Sequence, residues 1–385
     1  MGARSAALRV WAATALGFVA IGAVLPVLPR YVKGPIGAGD VAVGVVVGCF
    51  AFAAIVGRPV GGRLADRDGR RIVLIAGLLI AGLASLLYFL PLGVPGLVLA
   101  RLVLGIGDGW VFTAGATMIV DLAPVSRRGQ AIGLFGLAIW GGLTVGPICG
   151  ELLLDAFSYE AVWAFAAVTP LLGALLATTL HDDRGPVAPE APRQLIPRPV
   201  IAPGIALALA NVGYGTMAGF VVLHLDELGV GGGATVFTAF AAAVVISRLL
   251  ASSLPDRLGA RTTAAAAGIT ETVGLVLIAL APGFGVALAG GIVMGAGFSL
   301  LFPSLAVIAV ERVGEGSRGA AVGAFTAFFD AGVGLGAPIA GVVAGIGGYD
   351  DAFWLAAVMA AAGVGVSLLS GRRAQRAAAL AQGPS

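Results

Sequence analysis

Arg58 and Arg248, Asp66 and Asp256, Gly69 and Gly259, and Arg71 and Arg261 are identical pairs at one fixed spacing of 190 residues. The offset holds from Phe50 (onto Phe240) to Tyr159 (onto Tyr349). It also carries Gly105, Gly107, Phe112, Arg128 and Gly146 onto Gly295, Gly297, Phe302, Arg318 and Gly336. One offset over so long a stretch is an internal duplication, so both halves of the chain must be able to fold the same way. The densest copy is Gly62 to Arg71, G-R-L-A-D-R-D-G-R-R, set between two long apolar runs. Its partner is Ser252 to Arg261, S-S-L-P-D-R-L-G-A-R.

Charged residues make up 11% of the chain and hydrophobic ones 59%. A soluble domain carries about 25% charged residues, so the repeats belong in a bilayer. Runs of about 20 apolar residues cross a hydrocarbon core about 30 Å thick. Twelve such spans are predicted at 10–30, 41–61, 72–90, 96–120, 129–151, 160–180, 200–223, 231–254, 262–281, 285–310, 318–341 and 351–370. The first has no small-residue cleavage site near its end and is read as a retained span. Turn residues such as Gly34-Pro35, Pro124 and Pro282-Gly283 separate the spans. The segment 181–199, rich in proline and charge, cannot span and reads as a linker. The expected organisation is a six-helix half at 1–180, a cytoplasmic linker at 181–199, a second six-helix half at 200–371, and a cytoplasmic tail at 372–385.

With twelve spans, all but five of the 23 cations sort to one side. The exceptions are Arg30 and Lys33 on the other side, and Arg58, Arg101 and Arg248 within spans. By the positive-inside rule both termini are expected in the cytoplasm of a cell-membrane protein. The net charge of +3 reflects this bias and gives no reason to expect nucleic acid. Cys49 and Cys149 both lie in apolar runs, which points to neither a disulfide framework nor a metal site. No zinc, serine-hydrolase, kinase or phosphate-loop pattern is present, so an enzyme is not expected. His181 and His224, at span ends, are expected to be solvated.

Gly62-x-Leu64-x-Asp66-Arg67-x-Gly69-Arg70-Arg71 resembles the loop 2–3 signature of the major facilitator superfamily, with a weaker second copy in loop 8–9. The resemblance covers nearly the whole chain. It implies an all-α fold of two pseudo-symmetric six-helix halves with a binding site near the midplane. It also implies a gating latch at Gly62, Asp66, Arg67, Gly69, Arg71, Asp256 and Arg257. In physical terms the glycines permit a tight turn, and Asp66 near a helix end can pair with arginines or helix termini. A merely basic, orienting loop would need the arginines but no aspartate at a repeated position.

Span 4 reads L-V-L-A-R-L-V-L-G-I-G-D-G. Its Leu97, Arg101, Gly105 and Gly107 resemble the family pattern in which the arginine often serves proton coupling. Leu104 departs from that pattern, replacing a polar residue, and so does Asp108, at a position usually small. Arg101 and Asp108 are seven apart and share a helix face, although an arginine near the outer end can instead snorkel to headgroups. In span 5, Gly133, Gly142, Gly146, Pro147 and Gly150 are similar to a signature seen mainly in the superfamily's exporters, with Glu151 replacing its last glycine. Read without the family, the same spacing is ordinary small-residue packing between helices.

A mid-depth charge costs at least about 3 kcal/mol unless it is paired or wet, which singles out Asp108, Arg248, Glu271 and Asp330. Arg248 and Glu271 are expected to pair as a structural ion pair on consecutive helices. Arg58 has Ala81 where the second copy has Glu271, and is expected to snorkel. Asp330 is flanked by Phe325, Phe328 and Phe329, surroundings that disfavour its charged form. Asp330 and Asp108, with Arg101 assisting, are the candidate proton-coupling groups. Asn211, Tyr214, Phe298 and Phe302 are candidates to line a largely apolar cavity.

The function these features imply is proton-coupled export, by alternating access, of a small apolar or amphipathic compound such as a drug or secondary metabolite. Its rivals are proton-linked uptake of a sugar or organic anion, and a membrane sensor that transports nothing. The expected partners are a small-molecule substrate, protons and the lipid bilayer. The chain is expected to act as a monomer with no cofactor.

Overall fold

A computed structural model describes residues 3–124, 127–181, 196–311, 313 and 318–381. The described residues form helices and no strand. The first half comprises α1 (Ala3–Val24), α2 (Val27–Lys33), α3 (Asp40–Asp68), α4 (Arg70–Leu86), α5 (Gly93–Leu122), α6 (Arg128–Ala156) and α7 (Tyr159–Ala177). The second comprises α8 (Arg198–Glu227), α9 (Gly233–Ala251), α10 (Leu254–Leu258), α11 (Ala260–Ala279), α12 (Phe284–Val310), α13 (Arg318–Gly347) and α14 (Tyr349–Ala381). Twelve of these units are long and apolar enough to cross a membrane, with α1 and α2 joined as one and α10 too short to count. Of the expected linker, residues 182–195 lie outside the described residues, and of the tail, residues 382–385 do.

Large apolar side chains point outward where a soluble protein would bury them, among them Leu250 (80% exposed) and Ile346 (84%). Lipid is their natural solvent, and helices satisfy their own backbone groups there.

The sequence repeat is also a packing repeat. A Cβ on Gly105 would strike the Phe50 carbonyl, and a Cβ on Gly295 would strike that of Phe240. Likewise Gly107 lies against Gly77 and Ala81, and Gly297 against Ala267 and Glu271. Each pair is the other shifted by the same offset, so glycine recurs because two helix backbones touch at that point in each half. The turn of the charged loop is duplicated too. Gly69 (φ 104°, ψ 143°) and Gly259 (φ 83°, ψ 143°) join their helices in a conformation that residues with a Cβ avoid. The copies differ just before that turn. The helix of the first copy runs unbroken through Leu64-Ala65, whereas Ser252-Ser253 and Pro255 interrupt the second and leave the short α10.

The two halves meet along two seams. In one, α3 packs on α13, with Gly44 and Gly48 against the backbone of Gly334, Ala337 and Pro338. In the other, α6 packs on α9. Within the second half, α12 lies between α9 and α11, touching α9 through Gly295 and α11 through Gly290 and Gly297.

Candidate substrate and coupling site

Arg58 projects from α3 into the first seam and meets Asp330 of α13 edge to edge. Its Nε donates to Oδ2 at 2.8 Å and its Nη2 to Oδ1 at 3.1 Å. Asp108 of α5 stands on the same guanidinium, Oδ2 to Nη2 at 3.6 Å, and the Phe112 ring lies 4.3 Å from the guanidinium carbon. Both carboxylates are buried, at 5% and 2% exposure, and the arginine side chain is 16% exposed. Two acids face one cation, so the cluster carries one negative charge in excess unless it takes up a proton or a cationic group. In a low-dielectric interior that imbalance is strongly disfavoured.

The expectation that Arg58 snorkels is therefore corrected. Its counter-charges come from α5 and from α13 of the opposite half, not from the neighbouring helix α4. The pairing of Arg248 with Glu271 is also corrected. Helices α9 and α11 follow one another in the chain, but α12 separates them. Ser299, two residues from Gly297 and so on the other side of α12, accepts from Arg248 Nη2 at 3.3 Å through its carbonyl. Glu271 is fully buried beside Gly213 and Gly297. Among the described residues neither of its carboxyl oxygens has a hydrogen-bond partner.

Arg101 is fully buried and tied to α3. Its Nε and Nη2 donate to the Val46 and Val47 carbonyls at 3.1 and 3.0 Å, and it lies 4.6 Å from the centre of the Phe50 ring. Its hydrogen bonds go to α3 backbone and not to Asp108. Tyr214 and Phe298 lie 5.6 Å apart in a cluster drawn from five helices, with Trp140, Phe240 and Phe329. Phe302 joins through Phe329 at 6.1 Å. Asn211 is turned elsewhere, donating to the Leu207 carbonyl at 2.8 Å and packing on Gly332 of α13.

In the span-5 pattern, Cβ atoms on Gly142, Gly146 and Gly150 would strike α1 backbone at Ala15, Val19 and Ala23, and Pro147 lies against Gly22. Gly133 has nothing within 4 Å. The three inner glycines thus seat α6 on α1.

At the end bearing Arg30, an ion pair and a hydrogen bond cross between the halves, each backed by an ion pair within the first half. Arg30 donates from Nε and Nη2 to Asp226 of α8 at 2.7 and 2.9 Å, and from Nη1 to Glu151 of α6 at 2.8 Å. Tyr349 Oη donates to Asp40 at 2.9 Å, and Lys33 pairs with the same carboxylate at 2.9 Å. At the basic end, the side-chain contacts of Arg67, Arg70 and Arg71 stay within the first half. Arg70 pairs with Asp121, Arg67 with Asp68 at 3.4 Å, and Arg71 donates to the Thr178 carbonyl at 2.5 Å. Gly62 is half-buried beside Thr113. Among the described residues Asp66, Asp256 and Arg257 are exposed and without an ion pair. His224 corrects another expectation: it is buried, 3.1 Å from the Ile278 carbonyl, with its ring tilted against Phe353 at 5.4 Å.

Arg58 and the Arg30 clamp escaped sequence reasoning, although signals for both were present. Arg58 is a repeated arginine inside an apolar run. Arg30 is one of two cations on its side, and Glu151 stands where a glycine was expected.

A family model for the Major Facilitator Superfamily matches residues 10–235 and again 204–384. An uncharacterized MFS-type transporter of Salmonella typhimurium is 32% identical over 93% of this chain and 94% of its own length. One from Burkholderia mallei is 33% identical over 94% and 91%. Among solved structures, the nucleoside transporter NupG superposes with a TM-score of 0.78 at 15% identity, covering 94% of this chain and 99% of that one. The human organic anion transporter MFSD10 superposes with a TM-score of 0.74 at 14% identity, covering 95% and 100%. With twelve membrane-length helices and relatives that are transporters, not enzymes, this chain belongs to the Major Facilitator Superfamily and is a multi-pass membrane transporter.

Proposed function

We propose that the protein is a proton-coupled exporter of a small apolar or amphipathic compound, acting as a monomer in the cell membrane with both termini in the cytoplasm. One observation carries this reading: a single guanidinium, Arg58, is shared by two buried carboxylates, Asp108 and Asp330, that come from opposite halves. While the cluster is dry, one of those acids is best held neutral, because burial disfavours the charged form. When the halves part, Asp330 leaves Arg58, water enters, and the balance between proton and ion pair changes. Alternating access then moves a proton each time the seam opens and closes. The aromatic cluster beside Asp330 supplies an apolar surface for the body of the substrate.

The test is transport into vesicles under an imposed pH gradient by the parent, Asp330→Asn and Asp108→Asn. At least one variant is expected to lose gradient-driven transport while still binding or exchanging substrate. If both respond to the gradient like the parent, the coupling assignment fails. Sidedness is checked separately. Reporters fused after Arg193 and Arg376 should report the cytoplasm and one at Lys33 the opposite side. A non-cytoplasmic Arg193 fusion would reverse the orientation.

A further inference from the structure

The repeat offset maps the charged cluster onto a second set of residues. Arg58 maps onto Arg248, Asp108 onto Phe298, and Asp330 onto Trp140. The second set also assembles at a seam between halves. The Trp140 and Phe298 rings are 5.3 Å apart, and a Cβ on Gly136, one turn before Trp140 in α6, would lie 2.7 Å from Arg248 Nη1. Arg248 thus reaches from α9 across the seam to α6, as Arg58 reaches from α3 toward α13. The difference is that both carboxylate positions here hold aromatic rings.

The guanidinium is left with a surplus of donors. Among the described residues the Ser299 carbonyl, at 3.3 Å, is its one hydrogen-bond acceptor, and no carboxylate pairs with it. Arg58 faces two acids and Arg101 two close carbonyls, and Nη1 of each is buried without a partner among the described residues. Arg248 differs in having no acid and no second carbonyl among those residues. Arg248 is half-buried, and none of its nitrogens is both fully buried and unpartnered, so the guanidinium keeps exposed N–H surface. A partly desolvated cation of this kind attracts an anion strongly. Gly136, without a side chain, leaves the room that the guanidinium occupies.

We infer that Arg248 binds the anionic group of a monoanionic, amphipathic substrate whose apolar body lies against Trp140, Phe298 and Tyr214. One guanidinium answers one charge, which favours a monoanion over a multiply charged one, and the five-ring cluster beside it answers an aromatic or branched apolar body. The inference deepens the proposed export function by giving its substrate a charge, and so rests on the central seam being the binding site.

The experiment uses the full chain in phosphatidylcholine nanodiscs. Equilibrium dialysis measures binding of two probes of one shape, 4-phenylbutyrate and its neutral amide. The carboxylate is expected to bind about tenfold or more tighter than the amide, the size of a charge-assisted hydrogen-bonded contact. Arg248→Gln should erase that preference, weakening carboxylate binding much more than amide binding, and Arg248→Lys should retain part of it. Gly136→Val, which displaces the guanidinium without removing it, should also reduce the preference. Equal binding of the two probes by the parent, binding of neither, or a preference that survives Arg248→Gln would each overturn the assignment. Discs containing phosphatidylglycerol separate substrate from lipid. If that lipid abolishes the preference, Arg248 serves a headgroup and the inference is wrong. None of these readouts depends on a pH gradient, so failure of proton coupling at Asp108 and Asp330 would be seen separately.

Discussion

Trp140 and Asp330 occupy the same position in the two repeats, yet one anchors an aromatic cluster and the other binds an arginine across the seam. Each stands where the two halves meet, Trp140 on α6 facing Tyr214, Phe240 and Phe298, and Asp330 on α13 facing Arg58. The duplication has therefore kept the scaffold and divided the chemistry. One seam joins an arginine to two carboxylates, and the other sets Arg248 beside aromatic rings.

The Arg58 cluster makes a stability prediction that separates pairing from packing. Arg58→Gln leaves Asp330 and Asp108 buried without their cation, a change that costs about 3–5 kcal/mol when one partner of a buried pair is lost. Asp330→Asn in that background removes one of the stranded charges. The double variant is expected to be more stable than Arg58→Gln alone, with a coupling energy of about 1–3 kcal/mol in a thermal-unfolding cycle in detergent. Additive losses would mean that Arg58 and Asp330 do not interact in the folded protein.

The ion pairs at the Arg30 end and the charged loop at the basic end should bias the two access states in opposite directions. In the present state, Val47 is 1% exposed and faces Gly219 of α8 across the closed end. Val47→Cys, in a Cys49→Ser and Cys149→Ser background, should be protected from a membrane-impermeant thiol reagent. Adding Arg30→Gln removes the clamp on Asp226 and Glu151, and labelling should rise several-fold. Asp66→Asn, if Asp66 latches the opposite end in the other state, should slow both labelling and transport, whereas Asp256→Asn should do so less. Labelling rates unchanged in both Arg30→Gln and Asp66→Asn would deny either end a role in gating.

The glycines of α6 predict unequal consequences for the same substitution. Gly146→Ala forces a methyl group into the Val19 carbonyl and Gly22 of α1. Overpacking of this kind costs about 1–3 kcal/mol. At Gly133 nothing lies within 4 Å, so Gly133→Ala should be neutral or stabilise the helix by about 0.5–1 kcal/mol. Thermal unfolding of the two variants in the same detergent is the check. Equal losses would show that the span-5 glycines serve something other than contact with α1.

Much of this architecture was legible in the sequence because the forces that fix it are local. An apolar run of span length must cross lipid, whatever surrounds it, and a repeated Gly69 or Gly105 marks a backbone that turns or approaches another in each copy. The price of charge in lipid also singled out Asp108, Asp330, Arg248 and Glu271 without any knowledge of their neighbours. What the sequence could not supply was which charge meets which. Arg58 and Asp330 are 272 residues apart, and only the packing of α3 on α13 brings them within a hydrogen bond. Chain order suggested Arg248 and Glu271 as partners, but α12 packs between their helices and leaves each facing a different side of it. The clamp of Arg30 on Asp226 likewise exists because α2 and α8 converge at one end of the bundle. Burial cost belongs to a residue and its helix, and can be read along the chain. Partnership belongs to the seam between halves, and tertiary structure alone decides it.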